Sequence, residues 1–275
     1  MAERGTGASP KPQDLLFALG GALVLEHLDE PVPTRVFLEV LGGLGIAPAT
    51  TRATLNRLTG RGFLARGQEG RVVSYALTDA SRRLLEDGRQ RVRAPAPFHQ
   101  DSDEWTLLSF SLPEAHRDVR HRLRSRLTWL GFGCVRDGLW MAPGLVELDR
   151  VLALPAAGPA LQIDGFAVRP APGTDVGRLV RRAWDLPALR REHEEFIARW
   201  EGPPASDVDP VAAYTLLGAH WVRLLRQDPV LPQDHLGPDW PAARSADVYR
   251  SAAGELEPRA RAAFTELMAW ARTLR

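Results

Sequence analysis

Arg52 and Asn56 stand four residues apart in the stretch Ala49-Thr50-Thr51-Arg52-Ala53-Thr54-Leu55-Asn56-Arg57-Leu58. A guanidinium can donate to O6 and N7 of guanine, and a carboxamide can bridge N6 and N7 of adenine. One helical turn apart, the two side chains share a face. Ala53, between them, is small enough to approach a thymine methyl group. At helical period Thr51, Leu55 and Leu58 fall on one side, and Ala49, Arg52, Ala53 and Asn56 on the other. Thr50 and Arg57 sit on a flank. Low bulk combined with long donors suits a helix that enters a DNA major groove. It also suits the solvated face of an ordinary helix, so the neighbouring elements must decide.

Those neighbours form an ordered set. Leu15, Leu16, Leu19 and Leu23 give a helix from about Pro12 to His27 an apolar face. Pro31 and Pro33 stop and restart the chain, Thr34 can cap a second helix, and Gly42-Gly43 ends it. The loop Gly45-Ile46-Ala47-Pro48 leads into the Arg52 helix. After Gly60 and Gly62 the period changes. Residues 63–66 and 72–77 read as strands, with Gly67-Gln68-Glu69-Gly70 as the turn. Three helices and a hairpin are the winged helix-turn-helix plan, whose third helix enters the major groove. Arg66 and Arg71 flank the hairpin tip, and with Thr50 and Arg57 they are placed to hold phosphates. Thr78 then caps a helix through Arg89, whose arginines (Arg82, Arg83, Arg89, and beyond it Arg91 and Arg93) read as a solvated face or a second contact surface. A protein-interaction module of the same shape is the alternative for the whole segment.

Composition limits the possibilities. Hydrophobic residues make up 44% of the 275, enough for two or three domain cores. The net charge is +1, so any basic surface must be local. Lys11 is the only lysine, and nearly all positive charge is therefore forked and planar. Cys134 is the only cysteine, which leaves no disulfide framework and fits a reducing compartment. No run is apolar enough for a membrane span or a signal peptide, so a cytoplasmic protein with a disordered tail over 1–11 is expected.

Past Ala94-Pro95-Ala96-Pro97, a stiff linker, Trp105 to Ser111 reads as a strand. Pro113 suits the start of a helix ended by Gly131, with Val119, Leu123, Leu127 and Leu130 as its buried stripe. Phe132 to Arg136 and Leu139 to Ala142 are strands joined by Asp137-Gly138. A helix over 144–154 and a strand from Leu161 to Val168 complete a βαββαβ order. That is the ferredoxin-like arrangement, an antiparallel sheet covered by helices on one face. Arg117, Arg120 and Arg124 align on the first helix as a solvated face or auxiliary phosphate contacts. The rest reads as helical: Thr174 to Trp184, Pro187 to Trp200, Pro210 to Arg226, then about 242–253 and 258–274. The expected fold is thus α+β and multidomain. A winged helix-turn-helix spans 12–93, a ferredoxin-like domain 99–172 and a helical domain 173–275.

Specific phrases in all three segments resemble one family. They include Trp105-Thr-Leu-Leu-Ser-Phe-Ser-Leu-Pro-Glu114, Gly131-Phe-Gly133 and Gly138-Leu-Trp-Met-Ala-Pro143. Further on come Ala183-Trp-Asp-Leu186, Phe196-Ile-Ala-Arg-Trp200, His220-Trp-Val-Arg223 and Asp228-Pro-Val-Leu-Pro232. Together they are similar to the PaaX regulators, named for the repressor of phenylacetic acid catabolism. Leu236-Gly-Pro-Asp-Trp240-Pro241 departs from the family, which more often carries proline where Gly237 stands. The resemblance implies a middle domain similar to a CRISPR spacer-acquisition nuclease. That nuclease needs acidic ligands on its first strand, where this chain has Ser109-Phe110-Ser111. The resemblance also implies a C-terminal segment for dimerisation and effector response, the effector class being an acyl- or aryl-CoA thioester. His220, Trp221, Arg223, Asp228 and Trp240 are candidates for that pocket, since Arg pairs with phosphate or carboxylate and Trp stacks on aromatic groups. A structural network of the same residues is the alternative.

Enzyme motifs are missing. There is no Gly-x-Ser-x-Gly, and His193-Glu194-Glu195 does not extend to a zinc motif. Cys134 sits in a strand with no partner. The expectation is a ligand-responsive, sequence-specific regulator, a repressor without catalytic, metal or cofactor chemistry. It would bind a two-fold double-stranded operator as a homodimer, since one winged helix reads a short half-site. An adaptor that binds no DNA and a nuclease built on the middle domain are the alternatives.

Overall fold

A computed structural model of the chain describes residues 9–27, 30–100, 103–113, 116–149, 161–202 and 208–273. The chain divides into two compact units. The first comprises 1–95, 195–223 and 244–275, and the second 96–194 and 224–243. These units cut across the three consecutive segments read from the sequence.

In the first unit, α1 (Pro12–Ala22) buries Leu15, Leu16 and Leu19. It stops earlier than expected, because Leu23 leaves helical geometry at φ −125°. A 3-10 turn, Val24–Glu26, follows. Val32–Pro33 then forms a short strand, β1, that sequence reasoning missed. It lies at the sheet edge, where a proline's missing N–H breaks no ladder. Thr34 does not cap α2 (Thr34–Gly43); Pro33 occupies the cap position. The Thr34 hydroxyl donates instead to the Val73 carbonyl at 2.7 Å, which fastens the helix to the sheet.

The Arg52 helix is α3 (Pro48–Gly60), with a proline in its first turn. β2 (Leu64–Glu69) and β3 (Val72–Leu77) pair antiparallel from Leu64↔Leu77 to Glu69↔Val72. The ladder runs through Gly67 and Gln68, so the turn is tighter than the expected four residues. Gly70 makes it possible at φ +57°. The cap on α4 (Asp79–Val92) is as expected: Thr78 Oγ1 accepts from the Ser81 N–H at 3.3 Å.

The second unit is built on a four-stranded antiparallel sheet in the order β5-β6-β4-β7. Its strands are β4 (Trp105–Ser111), β5 (Gly133–Arg136), β6 (Leu139–Pro143) and β7 (Gln162–Val168). Alternation along β4 sends Leu108 and Phe110 to one face and Trp105 and Leu107 to the other. The first face packs on α5 (Arg117–Trp129), through Leu123 and Leu127. α5 is first assigned at Arg117 rather than Pro113. Of the helix expected over 144–154, residues 144–147 are not helical, 148–149 are, and 150–154 lie outside the described residues.

A single covered face was expected, and the other face is covered as well. There α6 (Val176–Ala183) sets Val180 against Trp105, Val135 and Met141, joined by Leu231. The approach is close: a Cβ on Gly133 would lie 2.5 Å from the Trp184 ring. Asp175, not Thr174, caps α6 and accepts from the Arg178 N–H at 2.8 Å. Asp185 does the same for α7 (Leu186–Trp200), accepting from Ala188 N–H at 2.9 Å.

The last two helices are α8 (Pro210–Gln227) and α9 (Ala242–Thr273). Two helices were expected where α9 is one of 32 residues with Pro258 inside it. An interior proline costs roughly 3 kcal/mol. Leu256, Ala260, Phe264 and Met268 form a continuous stripe on the same helix, each no more than 2% exposed. Burying a Leu, Phe or Met side chain contributes about 1.5–3 kcal/mol apiece, so tertiary packing outweighs the local break. In the first unit, Leu15 and Ala18 of α1 share a core with Ala219 of α8.

Candidate nucleic-acid interface

The two faces of α3 divide cleanly. Thr51, Thr54, Leu55 and Leu58 are buried. Thr54 was not foreseen among them. Its hydroxyl donates to the Thr50 carbonyl at 2.8 Å, and that local bond lets a polar residue sit fully buried. Ala49, Thr50, Arg52, Ala53, Asn56 and Arg57 are all exposed. The stretch from Pro48 to Gly60 contains no carboxylate, so nothing on this helix neutralises Arg52 or Arg57. Arg57 is partly oriented already, because Nη2 donates to Thr54 Oγ1 at 3.2 Å. The rest of its guanidinium fork is available for a phosphate.

The hairpin carries the other predicted residues. Arg66 pairs across the ladder with Tyr75, and Arg71 follows the Gly70 turn; both are exposed. Gln68 Nε2 donates to the Gly70 carbonyl at 3.0 Å and braces the tip. Glu69 is the one acidic residue there. Arg61, exposed at the C-cap of α3, is a further cation next to this surface that sequence reasoning passed over. The arginines of α4 are more occupied. Arg89 pairs with Glu26 at 3.3 Å and Arg93 with Glu257 at 3.2 Å, both within the first unit. These two contacts favour a bracing role for the end of α4.

The five residues proposed for an effector pocket fall into two groups. His220, Trp221 and Arg223 belong to the first unit. Trp221 is 1% exposed, stacks on Tyr249 with centroids 4.4 Å apart, and donates to the Val92 carbonyl at 3.2 Å. His220 Nδ1 accepts from Trp200 Nε1 at 3.1 Å. Burial, reinforced by the positive charges of Arg199 and Arg223, holds the His220 imidazole down to about 4. It is neutral at physiological pH.

Asp228 and Trp240 belong to the second unit, with partners that sequence reasoning did not assign. His193 Nε2 lies 2.8 Å from Asp228 Oδ2, with both side chains almost fully buried. Phe98 and Trp240 lie edge-on to the His193 ring. The other Asp228 oxygen accepts from the Val230 N–H at 2.6 Å. Val230 has φ +60°, the one positive value on a non-glycine residue among the described residues. Arg190 lies over Trp240 at 5.3 Å and donates to the Asp239 carbonyl at 3.0 Å. His193 appeared in the sequence only as part of a failed zinc motif, and nothing in its spacing points to Asp228. Among the described residues no group of three His, Cys, Asp or Glu side chains is placed to hold a metal ion. No helix among them is long and apolar enough to cross a membrane.

Comparison with known proteins gives matches in chain order. Residues 11–81 match a family model described as PaaX-like protein. Residues 99–162 match the PaaX protein central Cas2-like domain, and 184–266 the PaaX-like protein C-terminal domain. Among solved structures, the uncharacterised protein Rv0674 from Mycobacterium tuberculosis is similar, with a TM-score of 0.58 and 22% identity. The match covers 93% of this chain and 99% of that one, and it speaks for the fold alone. No curated protein matches the sequence significantly.

Proposed function

The chain belongs to the PaaX family, and on that premise we propose that it is a ligand-responsive, sequence-specific DNA-binding transcriptional regulator acting as a repressor. Residues 12–93 work as a winged helix-turn-helix. The middle sheet with α5 is a ferredoxin-like element without catalytic duty. One observation carries the DNA reading: α3 buries its apolar face and exposes Arg52, Ala53 and Asn56 on a face free of carboxylates. Arg52 and Asn56 read base edges, and Ala53 meets a thymine methyl. Thr50, Arg57, Arg66 and Arg71 hold phosphates and set the register. A homodimer places two such helices on a two-fold operator.

The effector belongs to the acyl- or aryl-CoA thioester class, and it acts by shifting the protein between states that differ in operator affinity. His220 and Arg223 supply one group of contacts, and the Asp228 and Trp240 cluster orders the loop that follows α8. A footprint of the purified protein on the promoter of its own gene tests the proposal. A protected two-fold site supports it. Absence of any protected site supports an interaction module that binds no DNA.

A further inference from the structure

The strongest local concentration of positive charge outside the interface above is α5. Its sequence, Arg117-Asp-Val-Arg-His-Arg-Leu-Arg-Ser-Arg-Leu-Thr-Trp129, holds five arginines and one histidine against one aspartate. The whole chain carries a formal net charge of only +1, so this helix departs sharply from its surroundings. Five arginines do not share one role. Arg120 and Arg124 turn toward Asp137 at the β5–β6 turn, with contacts of 3.8 and 2.5 Å. Arg120 also donates to the Leu112 carbonyl at 2.6 Å. These two hold the helix on its own sheet. Arg117, His121 and Arg122 are exposed on the side of α5 away from the buried Leu123 and Leu127, with Arg117 next to the row of Arg120 and Arg124. Trp129 closes the same face at 57% exposure, with the Arg126 guanidinium 4.6 Å from its ring centre.

A basic stripe along one helix is the electrostatic footprint of a surface that meets a nucleic-acid backbone. We propose that the outward face of α5 is a second DNA-backbone surface, in which Arg117, His121 and Arg122 meet phosphates and Trp129 packs on a sugar. Charge complementarity selects the partner. A row of guanidinium groups with one interrupting carboxylate matches a chain of phosphates. It reads no sequence and adds affinity for any duplex. Its dependence on the proposed function lies in the choice of DNA as partner.

The test uses the full-length protein, a mixed-sequence duplex and a duplex from its own promoter, with anisotropy titrations over a range of salt concentrations. The double variant Arg117→Ala/Arg122→Ala should bind both duplexes more weakly by the same factor. Its slope of log affinity against log salt should fall by about two. Arg117→Lys/Arg122→Lys should restore the slope, because a point charge suffices for a phosphate. Trp129→Ala should lower affinity and leave the slope alone. A double variant with the wild-type slope overturns the proposal, whether the true partner is an acidic protein or none. Arg52→Ala on the same duplexes separates the two readings. If it loses discrimination while the double variant is unchanged, only the α5 surface falls. If wild-type protein binds neither duplex, both fall.

Discussion

The indole N–H of Trp221 donates to the carbonyl of Val92 at 3.2 Å, tying the middle of α8 to the last turn of α4. Arg93 pairs with Glu257, and Arg250 donates to the Pro95 carbonyl at 2.7 Å. The first 95 residues and two stretches of the last third therefore form one compact unit. α3 and part of the C-terminal bundle thus lie in the same unit, where Leu15 and Ala18 of α1 share a core with Ala219.

Trp221→Ala should accordingly destabilise that unit by about 3–5 kcal/mol, the usual cost of emptying a large buried aromatic site. Trp221→Phe keeps a ring against Tyr249 and loses the donor to Val92, so it should cost less, about 1–3 kcal/mol. Urea midpoints of the three proteins would show the order. Equal midpoints for Phe and Trp would remove the hydrogen bond from the account.

Asp228 holds His193 with one oxygen and the Val230 N–H with the other. Asp228→Ala leaves both without this acceptor, at about 1–3 kcal/mol for each group left unsatisfied. Val230→Gly should act in the opposite sense. A β-branched residue at φ +60° carries strain of about 1–3 kcal/mol, and glycine relieves it at some cost in chain entropy. A net gain near 1 kcal/mol is expected in thermal melts. A loss would mean that the Val230 side chain contributes more through packing than its backbone costs.

Acid should find His220. Its folded value of about 4 lies below the ordinary 6.5, so the unfolded chain takes up the proton first. Stability from the neutral imidazole is complete above pH 6.5 and is lost as pH falls toward 4. The total is roughly 3 kcal/mol at one pKa unit per 1.36 kcal/mol. His220→Asn should flatten this part of the stability–pH curve. A variant that keeps the wild-type slope between pH 6.5 and 4 would place the acid sensitivity elsewhere.

On the proposed function, Arg71→Ala takes away one phosphate contact at the hairpin and leaves the exposed face of α3 intact. Binding should weaken by the same factor on every duplex, with the salt slope lowered by about one. Titrations at several salt concentrations measure both quantities. A change in sequence preference would give Arg71 a different role.

The α3 face was legible in sequence because its information is local. Thr51, Leu55 and Leu58 repeat at helical period, and Arg52 and Asn56 follow from the same wheel. The hairpin was legible for the same reason, by period two and by Gly70. What escaped depends on distant partners. β1 exists because Val32 and Pro33 find Ser74 and Tyr75. Pro258 reads as a helix end until the stripe through Leu256, Phe264 and Met268 finds its core. His193 and Asp228 are 35 residues apart, with no spacing rule to join them. The Trp184 ring against Gly133 likewise belongs to packing, and it explains why the second sheet face is covered.

The central claim is that Arg52 reads a base. Operator and mixed-sequence affinities of wild type and Arg52→Ala, at one salt concentration, test it most directly. The account predicts that Arg52→Ala keeps its fold and its affinity for mixed sequence, and loses about 1–3 kcal/mol of preference for the operator. An Arg52→Ala protein with undiminished preference would contradict it.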